Sequence, residues 1–96
     1  MNNVQLLEMS KKQSKHRGKF ELILHNDQSV SFDHVMTCLV ELCGHNEYQA
    51  NQCALLTHNN GKCSIFVDTY DNCYSVWENL VKNGLTVIVK KQKRNV

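Results

Sequence analysis

Phe20-Glu21-Leu22-Ile23-Leu24-His25-Asn26-Asp27-Gln28-Ser29-Val30-Ser31-Phe32-Asp33-His34-Val35-Met36 contains a strand, a turn and the start of a helix. Phe20 to Leu24 form a short apolar run that suits a buried strand. His25 to Ser29 are turn residues, rich in side chains that bond their own backbone. Ser31 reads as a helix N-cap, with Asp33 in the first turn, where the helix dipole favours an acid. Phe32, Val35, Met36, Leu39 and Val40 then recur at i, i+3, i+4, i+7 and i+8, the spacing of an amphipathic helix.

The same kind of punctuation continues along the chain. Gly44 stops the first helix as a residue suited to the left-handed conformation. Asn46 with Gln49 resembles a capping box for a second helix. Ala50, Cys53, Ala54 and Thr57 line one face of it, Leu55 and Leu56 widen that face, and Gly61 ends it. Cys63 to Val67 read as a second strand. Asp71 is the predicted N-cap of a third helix with Cys73, Val76, Trp77, Leu80 and Val81 inward, closed by Gly84. Leu85 to Val89, β-branched and apolar, read as the third strand. The order is βααβαβ. The fold class that follows is α+β, a single domain with a three-stranded antiparallel sheet and three helices packed on one face.

With 96 residues the chain is long enough for one domain and a modest core. Residues 1–18 are predicted to be a flexible basic N-terminal extension, residues 19–91 the folded core and residues 92–96 a basic C-terminal tail. The net charge of +2 hides an uneven distribution. Lys11, Lys12, Lys15, Arg17 and Lys19 crowd one end and Lys90, Lys91, Lys93 and Arg94 the other. Between Phe20 and Val89 eight acids face only Lys62 and Lys82, which leaves the body at −6. An acidic body disfavours a nucleic-acid-binding core and favours a cationic ligand or a basic partner surface. No apolar run is long enough to span a membrane and the N-terminus has no leader pattern, so the expected location is cytoplasmic.

The five cysteines, Cys38, Cys43, Cys53, Cys63 and Cys73, form no CxxC and fit no zinc-ligand spacing. They read as reduced, small core hydrophobes, and no metal or cofactor is expected. Trp77 and Phe66 read as core. His25, His34 and His45 read as surface or turn residues.

Two short stretches carry the functional signal. Leu24-His25-Asn26-Asp27 ends the first strand, and Thr57-His58-Asn59-Asn60-Gly61 ends the second helix. An amide oxygen, a carboxylate and an imidazole at the ends of separate elements can converge on one point. Such a set suits a cation with several N–H donors, such as a free α-amino group. These stretches resemble the signature of the ClpS family, adaptors that recognise N-terminal degrons for the Clp protease. The resemblance covers roughly residues 20–90, nearly the whole folded part. Its first block is a strand followed by Asn-Asp-Asp, an aromatic, Thr-Pro-Met and a helix, set against Ile23 to Val35 here. Its second is an Ala opening a helix that ends in Val-His-x-x-Gly, set against Ala50 and Thr57 to Gly61.

The resemblance implies that Asn26, Asp27 and His58 hold the α-amino group of a substrate whose first residue is bulky and hydrophobic. Gln28, Val30, Phe32, Val35, Ala54 and Thr57 are implied to line the side-chain pocket. It also implies a non-enzymatic adaptor that docks on the N-domain of a Clp-type AAA+ unfoldase, with no membrane or nucleic-acid partner. The family's docking Glu corresponds to Asp71 and its Lys to Val76. Departures from the pattern fall on the pocket: Gln28 replaces the second Asp, Val30 the Thr, Phe32 the helix-start Met, Ala54 the gating Met and Thr57 the Val. Ser31 and Gly84 stand where the family has prolines. The alternatives are an interaction module of the same fold that has lost degron binding, or a protein that binds nucleic acid through its basic ends.

Overall fold

The structure, a computed structural model, describes residues 16–93. Residues 1–15 of the expected N-terminal extension and residues 94–96 of the C-terminal tail lie outside the described residues. The elements run β1 (Phe20–His25), α1 (Phe32–Cys43), α2 (Glu47–Asn60), β2 (Lys62–Asp68), α3 (Tyr70–Lys82) and β3 (Thr86–Lys91). This is the βααβαβ order expected for an α+β domain. The strands form one antiparallel sheet in the order β2-β1-β3, with β1 in the middle.

β1 buries alternate residues, the pattern of a strand with one face on a core. Phe20, Leu22 and Leu24 point inward. Leu22 sits between Phe66 and Val89, and Leu24 between Cys63 and Val87. The outward residues Glu21, Ile23 and His25 share their face with Ser64, whose hydroxyl donates to Glu21 Oε1 at 2.8 Å. The helices supply the rest of the core: Leu39 from α1, Ala50 from α2, and Tyr70, Cys73, Trp77 and Leu80 from α3.

Helix ends follow local chemistry. Ser31 accepts the His34 N–H, and Asn46 accepts the Gln49 N–H at 2.7 Å. Gly44 and Gly61 close α1 and α2 in the left-handed conformation, where a Cβ is strained. α3 differs from expectation. Its N-cap is Thr69, whose hydroxyl accepts the Asn72 N–H at 3.3 Å, and Asp71 lies in the first turn. The helix starts earlier because Tyr70 is buried edge-on against Phe20, with ring centroids 5.2 Å apart. His16 stacks on the same Tyr70 at 3.9 Å.

Other corrections concern burial. Leu55 and Leu56 are 39 % and 46 % exposed and do not widen the inner face of α2. The small residues Ala50 and Ala54 bring α2 close to its neighbours, so residues one and two steps round the helix point sideways to solvent. Val81 is exposed at the outer edge of α3 for the same geometric reason. Trp77 is core and donates its indole N–H to the Val87 carbonyl at 2.7 Å; Phe66 is half-buried against the core. Cys38, Cys43 and Cys73 are buried, Cys53 and Cys63 are half-buried, and all five thiols are free. Burial pushes Cys43 up to about 12, with Cys38 and Cys53 adding to the effect. Thiols in that range stay protonated at neutral pH and are weak nucleophiles.

His45 is not a surface residue: it is 6 % exposed. The ladder between β1 and β2 slips at Leu22/Ile23, leaving Ile65 as the extra residue of a β-bulge. A bulge leaves ladder groups without strand partners, and His45 Nε2 donates to the Ile65 carbonyl at 2.7 Å. Replacing His45 with Ala removes that donor and opens a cavity. The expected loss is about 2–4 kcal/mol of unfolding free energy, read from urea denaturation. A loss under about 1 kcal/mol would show that the bulge does not need this bond.

Candidate functional site

The loop after β1 is tied to the end of α2 by one backbone bond. The Asn26 N–H donates to the Gly61 carbonyl at 2.9 Å. Gly61 can turn its carbonyl this way because its φ is 95°, which a residue with a Cβ adopts only with strain. The bond places Asn26 and Asp27 beside the last turn of α2, which carries Thr57 and His58. These four residues line one pocket.

Asp27 is held by donors on both carboxylate oxygens. Oδ1 accepts the Ser29 N–H at 2.9 Å and the Ser29 hydroxyl at 2.6 Å. Oδ2 accepts the Thr86 hydroxyl at 3.0 Å. These bonds hold the Asp27 carboxyl below the usual carboxylate range, Ser29 contributing most and Thr86 after it. The group is therefore ionised at neutral pH and stays so on mild acidification. The Asp27 carbonyl also accepts the Val30 N–H, which tightens the turn.

The remaining walls are apolar. Val30, Phe32 and Val35 come from the end of the loop and the first turn of α1, Ala54 from α2, Leu24 from β1 and Leu85 from the approach to β3. Thr57 is buried, and its hydroxyl donates to the Cys53 carbonyl at 2.8 Å, so its polar group is occupied within the helix. The cavity encloses about 420 Å³ of empty space, its open mouth included. One side is polar and acidic, the other is built from aliphatic side chains and the Phe32 ring. Such a cavity can hold a small cationic head joined to an apolar group.

Of the residues singled out from the sequence, Asn26, Asp27, His58, Val30, Phe32, Val35, Ala54 and Thr57 all line this pocket. Gln28 is exposed and is not among the lining residues. Asp71 is exposed on α3, apart from the pocket. Four lining residues were not anticipated: Leu24, His25, Leu85 and Thr86. Leu24 and His25 immediately precede Asn26 and were within reach of the motif. Leu85 and Thr86 are distant in sequence and are placed only by the pairing of His25 with Thr86 across the sheet.

These features define a small α+β domain with a half-polar pocket at the end of its central strand. The profile of the family described as ATP-dependent Clp protease adaptor protein ClpS matches residues 15–88, and the chain belongs to that family. Members are adaptors of the Clp protease rather than enzymes. No curated protein matches the chain. Among the described residues no helix is long and apolar enough to cross a membrane.

A Cβ at Gly61 would meet no atom within 4 Å, so substitution there tests backbone conformation alone. Gly61→Ala is expected to cost about 1–2 kcal/mol from its left-handed φ. It is also expected to speed amide exchange at Asn26, whose acceptor would shift. Unchanged stability with unchanged Asn26 exchange would show that this tie does not shape the loop.

Proposed function

We propose that this protein binds substrates that begin with a free α-amino group on a bulky hydrophobic residue and delivers them to an AAA+ Clp unfoldase. The observation that carries the reading is that Asn26, Asp27 and His58 line one pocket with Val30, Phe32, Val35 and Ala54. An α-ammonium has three N–H donors. Asp27 supplies a carboxylate, Asn26 an amide oxygen, and His58 a ring nitrogen that accepts when the imidazole is neutral. The first side chain of the substrate would lie against the apolar walls, and burying a Leu or Phe there is worth about 1.5–3 kcal/mol. Ala54 leaves space that a longer side chain would fill, and Phe32 adds bulk where the family has a Met.

Delivery would use parts outside the pocket. Residues 1–18 would act as the extension that accompanies cargo to the unfoldase. Asp71, exposed in the first turn of α3, would face the unfoldase N-domain as the shorter counterpart of the family's docking Glu. The body's excess of acids favours protein and peptide cations over nucleic acid as partners.

The test is a titration with fluorescent peptides beginning with Leu, Phe, Tyr, Trp, Ile or Met, each with a free and an N-acetylated terminus. Free termini are expected to bind and acetylated ones to fail, because acetylation removes the charge and leaves the Asp27 carboxylate without its counter-ion. Asp27→Ala and His58→Ala are each expected to weaken binding by about tenfold or more. Ala54→Met, which fills the pocket, is expected to weaken the bulkiest side chains first. Absence of binding by every free terminus at high protein concentration would favour an interaction module that has lost degron recognition.

A further inference from the structure

We propose that Thr86 is a positioning residue of the pocket, its hydroxyl fixing the Asp27 carboxylate in the orientation that receives an α-amino group. This rests on the amine-binding reading of the same pocket. The case begins with how unequal the three donors to Asp27 are. Both bonds to Oδ1 come from Ser29, two residues along the same turn. They shape the turn but travel with it. The bond to Oδ2 comes from Thr86, fifty-nine residues away on another strand. It is the side-chain bond that joins the carboxylate to the sheet.

The sheet makes this anchor firm. Thr86 opens β3 opposite His25, the last residue of β1 and two positions before Asp27. The backbone pairing therefore holds the Thr86 hydroxyl at a set place beside the loop. With Oδ1 taking two donors and Oδ2 one, a single acceptor position is left on Oδ2. Thr86, Asn26 and His58 line the same cavity as Asp27. Besides Asp27, the titratable groups that line the pocket are His25 of β1 and His58 of α2. α1 lines it with Phe32 and Val35, and the β3 side with Leu85 and Thr86, none of which titrates in this range.

The test compares the unsubstituted chain with Thr86→Val, which keeps the β-branched shape and loses the donor, and Thr86→Ser, which keeps the donor. Two quantities are read: the Asp27 carboxyl titration by carbon NMR, and the affinity for a free-amine peptide beginning with Phe. In Thr86→Val the Asp27 midpoint is expected to rise, because a donor to the charged form is lost. Peptide affinity at neutral pH is expected to fall about five- to tenfold. Both are expected to return toward the original values in Thr86→Ser. A Thr86 that only supports the strand would change the denaturation midpoint and leave the Asp27 titration where it was, and that result would overturn the proposal. An upward Asp27 shift in Thr86→Val, with no peptide bound by the unsubstituted chain, would support the anchor and overturn the amine-binding reading instead.

Discussion

The pairing of β1 with a neighbour on each side determines where every pocket residue lies. Because β1 is central, its inward face must be apolar along its length, and Phe20, Leu22 and Leu24 meet that demand. The strand then leaves the sheet at His25, between the first residue of β2 and the first of β3. The loop that follows has the end of α2 on one side and the start of β3 on the other. The Asn26 bond to Gly61 and the Asp27 bond to Thr86 are the two ties that result, one to each side. A strand at the sheet edge would offer its loop only one of them.

Electrostatics then acts on a carboxylate already held in place. Its donors are neutral hydroxyls and an amide, which stabilise the charge by hydrogen bonding without cancelling it. No Lys or Arg lies between Phe20 and Gly61, the segment that contributes most of the pocket. The negative charge is thus available to a cation arriving from outside, where a neighbouring lysine would have competed for it. The linkage has a definite sign. With its folded-state value below the ordinary one, Asp27 adds stability above the usual carboxylate range, and that contribution is lost as the pH falls through the lowered value.

What was legible in the sequence was what depends on local spacing. The caps at Ser31 and Asn46, the stops at Gly44 and Gly61, and the order βααβαβ are set by residues within a few positions of one another. That Asn26, Asp27 and His58 would line one pocket was also anticipated, because the first two follow the end of β1 and the third lies in the last turn of α2. What was not legible depends on sheet order or tertiary packing. Thr69 displaced Asp71 as a cap because Tyr70 packs on Phe20, a contact made across fifty residues. His45 is buried because a bulge at Ile65 exposes a carbonyl that needs a donor, and nothing in the local sequence of β2 marks that bulge. Leu85 and Thr86 enter the pocket only once β3 is known to pair with β1 and not with β2.

The two halves of the pocket consequently differ in how they tolerate sequence change. The polar half is positioned by a strand end, a helix end, a glycine carbonyl and the donors that Ser29 and Thr86 supply to Asp27. Substitutions elsewhere leave those features in place as long as the sheet forms. The apolar half is shaped by side-chain volume at Val30, Phe32, Val35, Ala54 and Thr57; the first three are partly exposed and can change size at little cost to the core, whereas Ala54 and Thr57 are buried. Among the residues that line the pocket, departures from the family pattern fall on Val30, Phe32, Ala54 and Thr57 and spare Asn26, Asp27 and His58. That division matches the physical one. On the proposed reading, the grip on a charged chain end rests on the architecture, and the choice of side chain rests on the partly exposed walls, which vary more freely.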